Sequence, residues 1–251
     1  MKWTQWLPSI ATLVILLVWE IAVRIGYISA LFFPAPSSVA NHLLAQIVDG
    51  TLWPHVGATL IRLSSGFVVG GCTGLVLGLL MGWSEPIGKV LDPFVAAAHP
   101  LPKIALLPLA MVLLGIGEAS KIAMVAVATF FPMLINTMSG VRQLDPIYLE
   151  VAHNYGTPLH KLFTRVILPG SLPFILAGAR IALNTALVIT IAVELLTAKM
   201  GLGGIIWLAW QTLRMEQLYV ALLVTMLLGI ASNRVLHFVG RRAMPWHLEE
   251  N

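Results

Sequence analysis

The chain has 251 residues, of which 58% are hydrophobic and only 10% charged, and its mean hydropathy is +0.89. A soluble globular domain carries about 25% charged residues, so the composition excludes one and defines an integral membrane protein. The net charge of +4 comes without a long basic run or an aromatic-interleaved basic patch, which argues against nucleic acid and assigns the excess to cytoplasmic loops.

A spanning helix needs about 20 mainly apolar residues, and six segments qualify. The first is Ile10–Ile28. An apolar run after Lys2 could be a signal peptide, but this one continues to about Ile28 and contains Glu20 and Arg24, placed i, i+4 to pair on one helix face. A retained first membrane helix is expected. A loop over Leu31–Pro54 follows, with Phe33-Pro34-Ala35-Pro36 and a short helix after Ser37-Ser38.

The second span, Thr59–Met81, carries Gly66, Gly70, Gly74 and Gly78, with Gly82 just beyond. Every fourth residue is glycine, so one face is nearly bare backbone. Lipid gives helices no hydrophobic reason to associate, and close approach must supply the contact energy. The stripe predicts a tight interface, within the subunit or between two copies, or simply small-residue packing. Cys72 lies in the same run and reads as a small packing residue. As the single cysteine it excludes an internal disulfide.

The third span, Val90–Leu114, is interrupted by Pro100, Pro102, Lys103 and Pro108. A kinked or broken helix is expected. Such breaks are tolerated only where protein or a water-filled cavity covers the freed backbone. The fourth span is Ser120–Gly140 and the fifth Ser171–Ala198. On the fifth, Arg180, Asn184 and Glu194 fall on one face. An ionisable group at mid-membrane costs roughly 2.5–3.5 kcal/mol, so this face either lines a translocation path or holds structural charges near the two interfaces. Lys199–Gln217 then contains Gly201-Leu202-Gly203-Gly204 and an amphipathic Trp207–Trp210 segment, typical of an interfacial helix. The sixth span is Leu218–Val239.

With six alternating helices, Lys2, Lys89, Arg142, Lys161, Arg165, Arg241 and Arg242 share one side. Lys121, Lys199 and Arg214 fall on the other, with Arg62 near its surface. The positive-inside rule puts both termini in the cytoplasm. The polar stretch YLEVAHNYGTPLHKLFTRVILPG, from Tyr148 to Gly170, lies on that same side. Asp145-Pro146 supplies an N-cap and a first-position proline. Gly156 stops the first helix. Thr157-Pro158 repeats the cap, Pro169 ends the second helix, and Ser171 caps the next span. Helices this short are not stable alone in water. Their apolar residues, Tyr148, Leu149, Val151, Leu159, Leu162, Phe163 and Val166, need a cover. That cover is either another protein docked on the pair or the chain's own bilayer surface.

No Cys/His cluster has metal-ligand spacing, and no nucleophile–base pair marks an intramembrane enzyme. The only Gly-Lys, Gly88-Lys89, has Trp83 where a P-loop needs glycine and Val90 where it needs Ser or Thr. The chain is expected to hold no ATP by that motif, to have no catalytic residues and to bind no cofactor or metal.

Glu150-Val151-Ala152, Gly156 and Ile167-Leu168-Pro169 resemble the E-A-A---G---------I-LP signature of permeases of ATP-binding-cassette (ABC) importers, with Val151 in place of the first Ala and a bulkier His153-Asn154-Tyr155 filler. Phe33-Pro34-Ala35-Pro36, Pro100-Leu101-Pro102, Leu106-Leu107-Pro108-Leu109, Gly115-Ile116-Gly117, Ala192-Val193-Glu194-Leu195, Gly201-Leu202-Gly203 and Pro245-Trp246-His247 extend the resemblance over nearly the whole chain, to the nitrate/sulfonate/taurine branch. The resemblance implies an all-α type I ABC importer permease fold, a single transmembrane domain over 1–251, and a cytoplasmic coupling loop over about 142–170. It implies two cytoplasmic ABC ATPase subunits carrying ATP and Mg, a second permease copy, and a periplasmic or lipid-anchored solute-binding protein. The setting is the bacterial cytoplasmic (inner) membrane and its lipid. Glu150, Ala152, Asn154, Gly156 and His160 would couple to the ATPase, and a small anion such as nitrate, a sulfonate or taurine would be the solute. The rival class is an ion-gradient-driven secondary transporter, but the matching broken helices in two repeated halves that such folds show are not evident.

Overall fold

A computed structural model describes residues 6–197 and 199–244. Lys2, Ala198 and Pro245-Trp246-His247 lie outside the described residues, as does the side chain of His153. Every regular element among the described residues is helical. In chain order these are α1 (Leu7–Arg24), α2 (Pro36–Val48), α3 (Trp53–Trp83), α4 (Glu85–Ala98), a 3-10 turn (Lys103–Leu106) leading into α5 (Leu107–Leu114), and α6 (Glu118–Arg142). Then come α7 (Pro146–Asn154), α8 (Leu159–Leu162), a π turn (Phe163–Ile167), α9 (Leu168–Thr197), α10 (Leu202–Gln211) and α11 (Met215–Ala243).

Among the described residues, four helices are long and apolar enough to cross a membrane: α3, α6, the continuous Leu159–Thr197 helix, and α11. The helices Glu85–Ala98 and Lys103–Leu114 meet that standard only as a pair, bent by 91°. The break that the prolines predicted in the third segment is present between these two helices. The first expected span, Ile10–Ile28, overlaps α1, an apolar helix of 18 residues that ends at Arg24 and is not one of these spans.

Two linked expectations fail here. Ser171 does not cap a new span: it lies inside α9, where its hydroxyl donates to the Leu168 carbonyl. Pro169 does not end the second loop helix, which runs on through α9 as one 39-residue helix. A helical proline lacks an N–H, and its ring meets the carbonyl four residues earlier, here Arg165. The chain widens into the π turn over Phe163–Ile167 just before Pro169, where the Leu168 N–H bonds back to Phe163. Such a bulge adapts a helix to an insult that would otherwise stop it.

The chain divides into two compact units, Met1–Thr59 with Glu194–Leu227, and Leu60–Val193 with Leu228–Asn251. In the first, the expected Glu20–Arg24 pair forms at 2.6 Å. Its carboxylate does a second task. Pro36 opens α2 without an N–H, and the N-cap, Ala35, offers no side-chain acceptor. Glu20 takes over that role: Oε2 accepts the Ser37 N–H at 3.0 Å and Oε1 the Ser37 hydroxyl at 2.7 Å. Trp19 of α1 also packs on Tyr219 of α11, ring centroids 5.7 Å apart.

In the second unit the glycine stripe of α3 lies against α6 of the same chain. A Cβ at Gly66 or Gly82 would overlap the side chains of Val125 or Val141, and at Gly70, Gly74 or Gly78 the backbone carbonyls of Ala126, Phe130 or Leu134. Of the two interfaces the spacing allowed, this is the one within the subunit. Cys72 is exposed, so it points away from this seam and does not fill it. Behind α6, Gly140 meets Phe174 and Gly178 meets Asn136, which brings α9 equally close. At the end of α6, Arg142 pairs with Asp92 of α4 at 3.1 Å.

Candidate functional site

The loop after α6 is built from local signals. Asp145 Oδ1 accepts the Ile147 N–H at 2.9 Å, so it caps α7 with Pro146 at the first position. At the far end the Thr157 N–H bonds to the Ala152 carbonyl at 2.9 Å. Gly156, at φ +59, is the left-handed residue between them, as a Schellman closure requires. α8 then starts at Leu159 with Pro158 itself at the N-cap and no side-chain cap, so the expected Thr157 cap does not form: the helix begins one residue later than Thr157-Pro158 predicted.

Ile147, Tyr148, Val151, Tyr155 and Leu159 are all exposed, Tyr155 by 85%. Glu150, Asn154, Gly156 and His160 are exposed beside them, so four of the five expected coupling residues are presented outward. Ala152 is different. It is 8% exposed and seats α7 on its own chain. Beneath the pair lies an apolar pocket of about 430 Å³, lined by Trp83, Leu144, Leu149, Leu159, Leu162 and Ile167 among others. A Cβ on Gly156 would meet nothing within 4 Å, so the turn itself projects into open space.

The three polar residues of α9 part company. Arg180 and Asn184 are exposed, and Asn184 Oδ1 accepts from Asn233 Nδ2 at 2.7 Å. Glu194 is fully buried. Thr59 donates its hydroxyl to the carboxylate, 3.0 and 2.9 Å from its two oxygens, and the Gly203 N–H donates to Oε2 at 3.0 Å. Thr59 Oγ1 in turn accepts the Leu202 N–H at 2.9 Å, and His55 Nδ1 accepts the Gly201 N–H at 3.1 Å. The N-terminus of α10 has no capping side chain of its own, because Gly201 is its N-cap. Glu194 and Thr59 supply the acceptors from elsewhere in the sequence, and a carboxylate at that end also meets the positive pole of the helix. Gly201 is obligatory twice over: its φ is +125 and a Cβ would strike the Glu194 carboxylate.

Sequence reasoning missed Thr59 and His55. The available signal was the turn Gly201-Leu202-Gly203-Gly204, a helix start with no side chain to cap it. It also left Arg62 without a partner. Arg62 is 3% exposed and grips Glu118 in a fork, Nε to Oε2 at 2.6 Å and an Nη to Oε1 at 2.8 Å. Lys121 adds a third bond to that carboxylate at 2.9 Å. Among the described residues no group of His, Cys, Asp and Glu could hold a metal ion.

Apolar spanning helices carrying a capped, outward-facing helix pair define the architecture of a membrane permease. Over residues 74–244 the chain matches the family described as binding-protein-dependent transport system inner membrane component. It is 34% identical over 247 residues to the taurine transport system permease protein TauC of Escherichia coli (strain K12), covering 96% of this chain and 90% of that one. It is 30% identical over 233 residues to the putative aliphatic sulfonates transport permease protein SsuC of Bacillus subtilis (strain 168), covering 93% and 84%. With the formylaminopyrimidine transport permease protein ThiX of Halalkalibacterium halodurans it shares 28% over 244 residues, covering 97% and 96%. The chain belongs to this family of ABC importer permeases and is a multi-pass membrane protein.

Proposed function

We propose that this permease forms the path by which a small organic sulfonate, of the taurine or alkylsulfonate class, crosses the bacterial cytoplasmic membrane. The sulfonate names borne by two relatives at 30% identity and above support that class over the pyrimidine named for ThiX. In this reading both termini are cytoplasmic. Two copies of the permease pair, a periplasmic or lipid-anchored binding protein delivers the solute, and two separate ATPase subunits supply ATP hydrolysis.

The observation that carries the reading is the exposed face of α7, Gly156 and α8. Tyr148, Val151, Tyr155 and Leu159 offer apolar area, and Glu150, Asn154 and His160 stand among them as polar contacts. The pair seats in a groove of the ATPase, with Ala152 fixing α7 from beneath. ATP-driven closure of the ATPase dimer draws the two loops together. Because α8 runs unbroken into α9, a displacement at His160 moves the membrane helix as a rod, and access to the path switches sides by rigid-body motion.

Glu150→Lys tests the dock. The side chain is exposed, so the permease should fold with a stability change within about 0.5 kcal/mol. Purified in mild detergent, the wild type should carry a stoichiometric ATPase and the variant should lose it. Gly156→Leu tests the turn. It forces a non-glycine residue into the left-handed region at a cost of about 1–2 kcal/mol, with no clash inside the chain. It should leave the permease inserted but ATP hydrolysis uncoupled from uptake. Full retention of the ATPase by Glu150→Lys, with normal ATP-driven uptake by Gly156→Leu, would sink the docking role. Uptake into liposomes without any ATPase would point to an ion-gradient transporter instead.

A further inference from the structure

The break between α4 and α5 carries a histidine and a lysine, His99 and Lys103. His99 to Pro102 separate the two arms of the 91° bend, and all four residues are exposed. Pro100 and Pro102 have no N–H, so the bend leaves backbone groups that neither arm satisfies. Lys103, the first residue after the break, turns its ammonium back to the His99 carbonyl and over the ring of Phe131, 5.3 Å from its centroid. The His99 imidazole lies against the same ring at 5.8 Å.

Depth follows from α6. Phe131 is 13 residues from Glu118 and 11 from Arg142, the two ends of that helix. At 1.5 Å per residue it sits roughly 16–20 Å from either end. Lys103 and His99, packed on it, therefore sit near the centre of the span. Arg62, Lys121 and Arg142 each meet a carboxylate, whereas no carboxylate pairs with Lys103 among the described residues. A carbonyl and an aromatic face satisfy part of an ammonium's three donors. Uncovered polar backbone at this depth belongs against protein or a water-filled cavity, and an intramembrane cation marks a solute or ion pathway.

We propose that Lys103, assisted by His99, binds the oxyanion head of the permeating solute halfway across, with Phe131 as the apolar wall for its carbon chain. The assignment deepens the sulfonate reading given above and rests on it. Lys103 offers its unused donors to the sulfonate oxygens, and the exposed His99 ring offers one more. A single charged contact of this kind is strong enough to draw an anion off the outer side and weak enough to release it inward.

The test has two arms. In the first, the complete transporter in proteoliposomes imports radiolabelled taurine. Lys103→Met should lower uptake about tenfold or more, as expected for losing one charge-assisted hydrogen bond. Lys103→Arg should restore most of it, and Lys89→Met, at a cytoplasmic ion pair, should leave it unchanged. In the second arm, thermal unfolding of the purified permease is followed with sodium methanesulfonate and with its neutral isostere dimethyl sulfone, at constant ionic strength. Methanesulfonate alone should raise the midpoint, and the rise should vanish in Lys103→Met and persist in Lys103→Arg. Taurine import by the wild type and Lys103→Met at equal rates would overturn the site and leave the sulfonate function standing. A wild type that imports no sulfonate would overturn that function. The site would then stand if the methanesulfonate shift depends on Lys103, and fall if it does not.

Discussion

Gly70→Leu should remove most of the folded permease from the membrane. The position is the tightest point of the α3–α6 seam, where an added Cβ would overlap the carbonyl of Ala126. A flexible side chain could swing aside, but the main chain of a hydrogen-bonded helix cannot. The two helices must separate, and four further glycines in register, from Gly66 to Gly82, then lose their contact together. Overpacking usually costs about 1–3 kcal/mol and occasionally more. With backbone against backbone the upper end applies, about 3 kcal/mol or more, a large share of the stability of an ordinary domain. Lipid offers no compensation, because helix association in the bilayer rests on this close packing. Thermal aggregation in detergent reads the effect. The midpoint should fall by many degrees in Gly70→Leu and stay put in Cys72→Leu, whose side chain points away from the seam. An unchanged midpoint and unchanged uptake in Gly70→Leu would refute the role given to the stripe.

The legibility of such features in the sequence depends on how far their partners lie along the chain. The turn at Gly156 was readable because every partner is within six residues: Asp145 caps Ile147, and Ala152 accepts from Thr157. The break at Pro100 and Pro102 was readable for the same reason. The glycine stripe was half readable. Its period showed that something approaches closely, but α6 meets it largely through carbonyl groups, and those carry no residue identity. Pro169 misled because the remedy was a change of helix type, the π turn before it, which no residue announces. Glu194 shows the limit most clearly. A carboxylate on an apolar helix was evident, but one donor, Thr59, lies 135 residues away and the other is a glycine N–H. Spacing on α9 grouped it with Arg180 and Asn184, and tertiary structure encloses it.

Glu194→Ala accordingly predicts a stability defect, where a path-lining carboxylate would give a change in solute handling. Removing the side chain leaves the Thr59 hydroxyl and the Gly203 N–H without their acceptor in a fully buried site. Each orphaned polar group costs about 1–3 kcal/mol, and uncapping the start of α10 contributes to the same loss, about 0.5–2 kcal/mol for a cap. The cavity left by the carboxylate adds to it, for an expected total of about 3–5 kcal/mol, the range for breaking a buried charged network. Glu194→Gln separates charge from geometry. Its amide oxygen can still accept from Gly203, and its NH₂ can donate to Thr59 Oγ1, which already accepts from Leu202, so roughly half the loss should return. Thr59→Val should weaken the same cluster from its other side, and in Glu194→Ala the Thr59→Val change should cost little more, because the two act through one network. Amide hydrogen exchange localises the effect. Protection should fall at Leu202 and Gly203, and the coupling loop around Gly156 should exchange as before. If Glu194→Ala instead kept its unfolding midpoint and its α10 protection while altering the rate or the preference of uptake, the carboxylate would have to reach the solute in a second conformation, one in which α10 has released it.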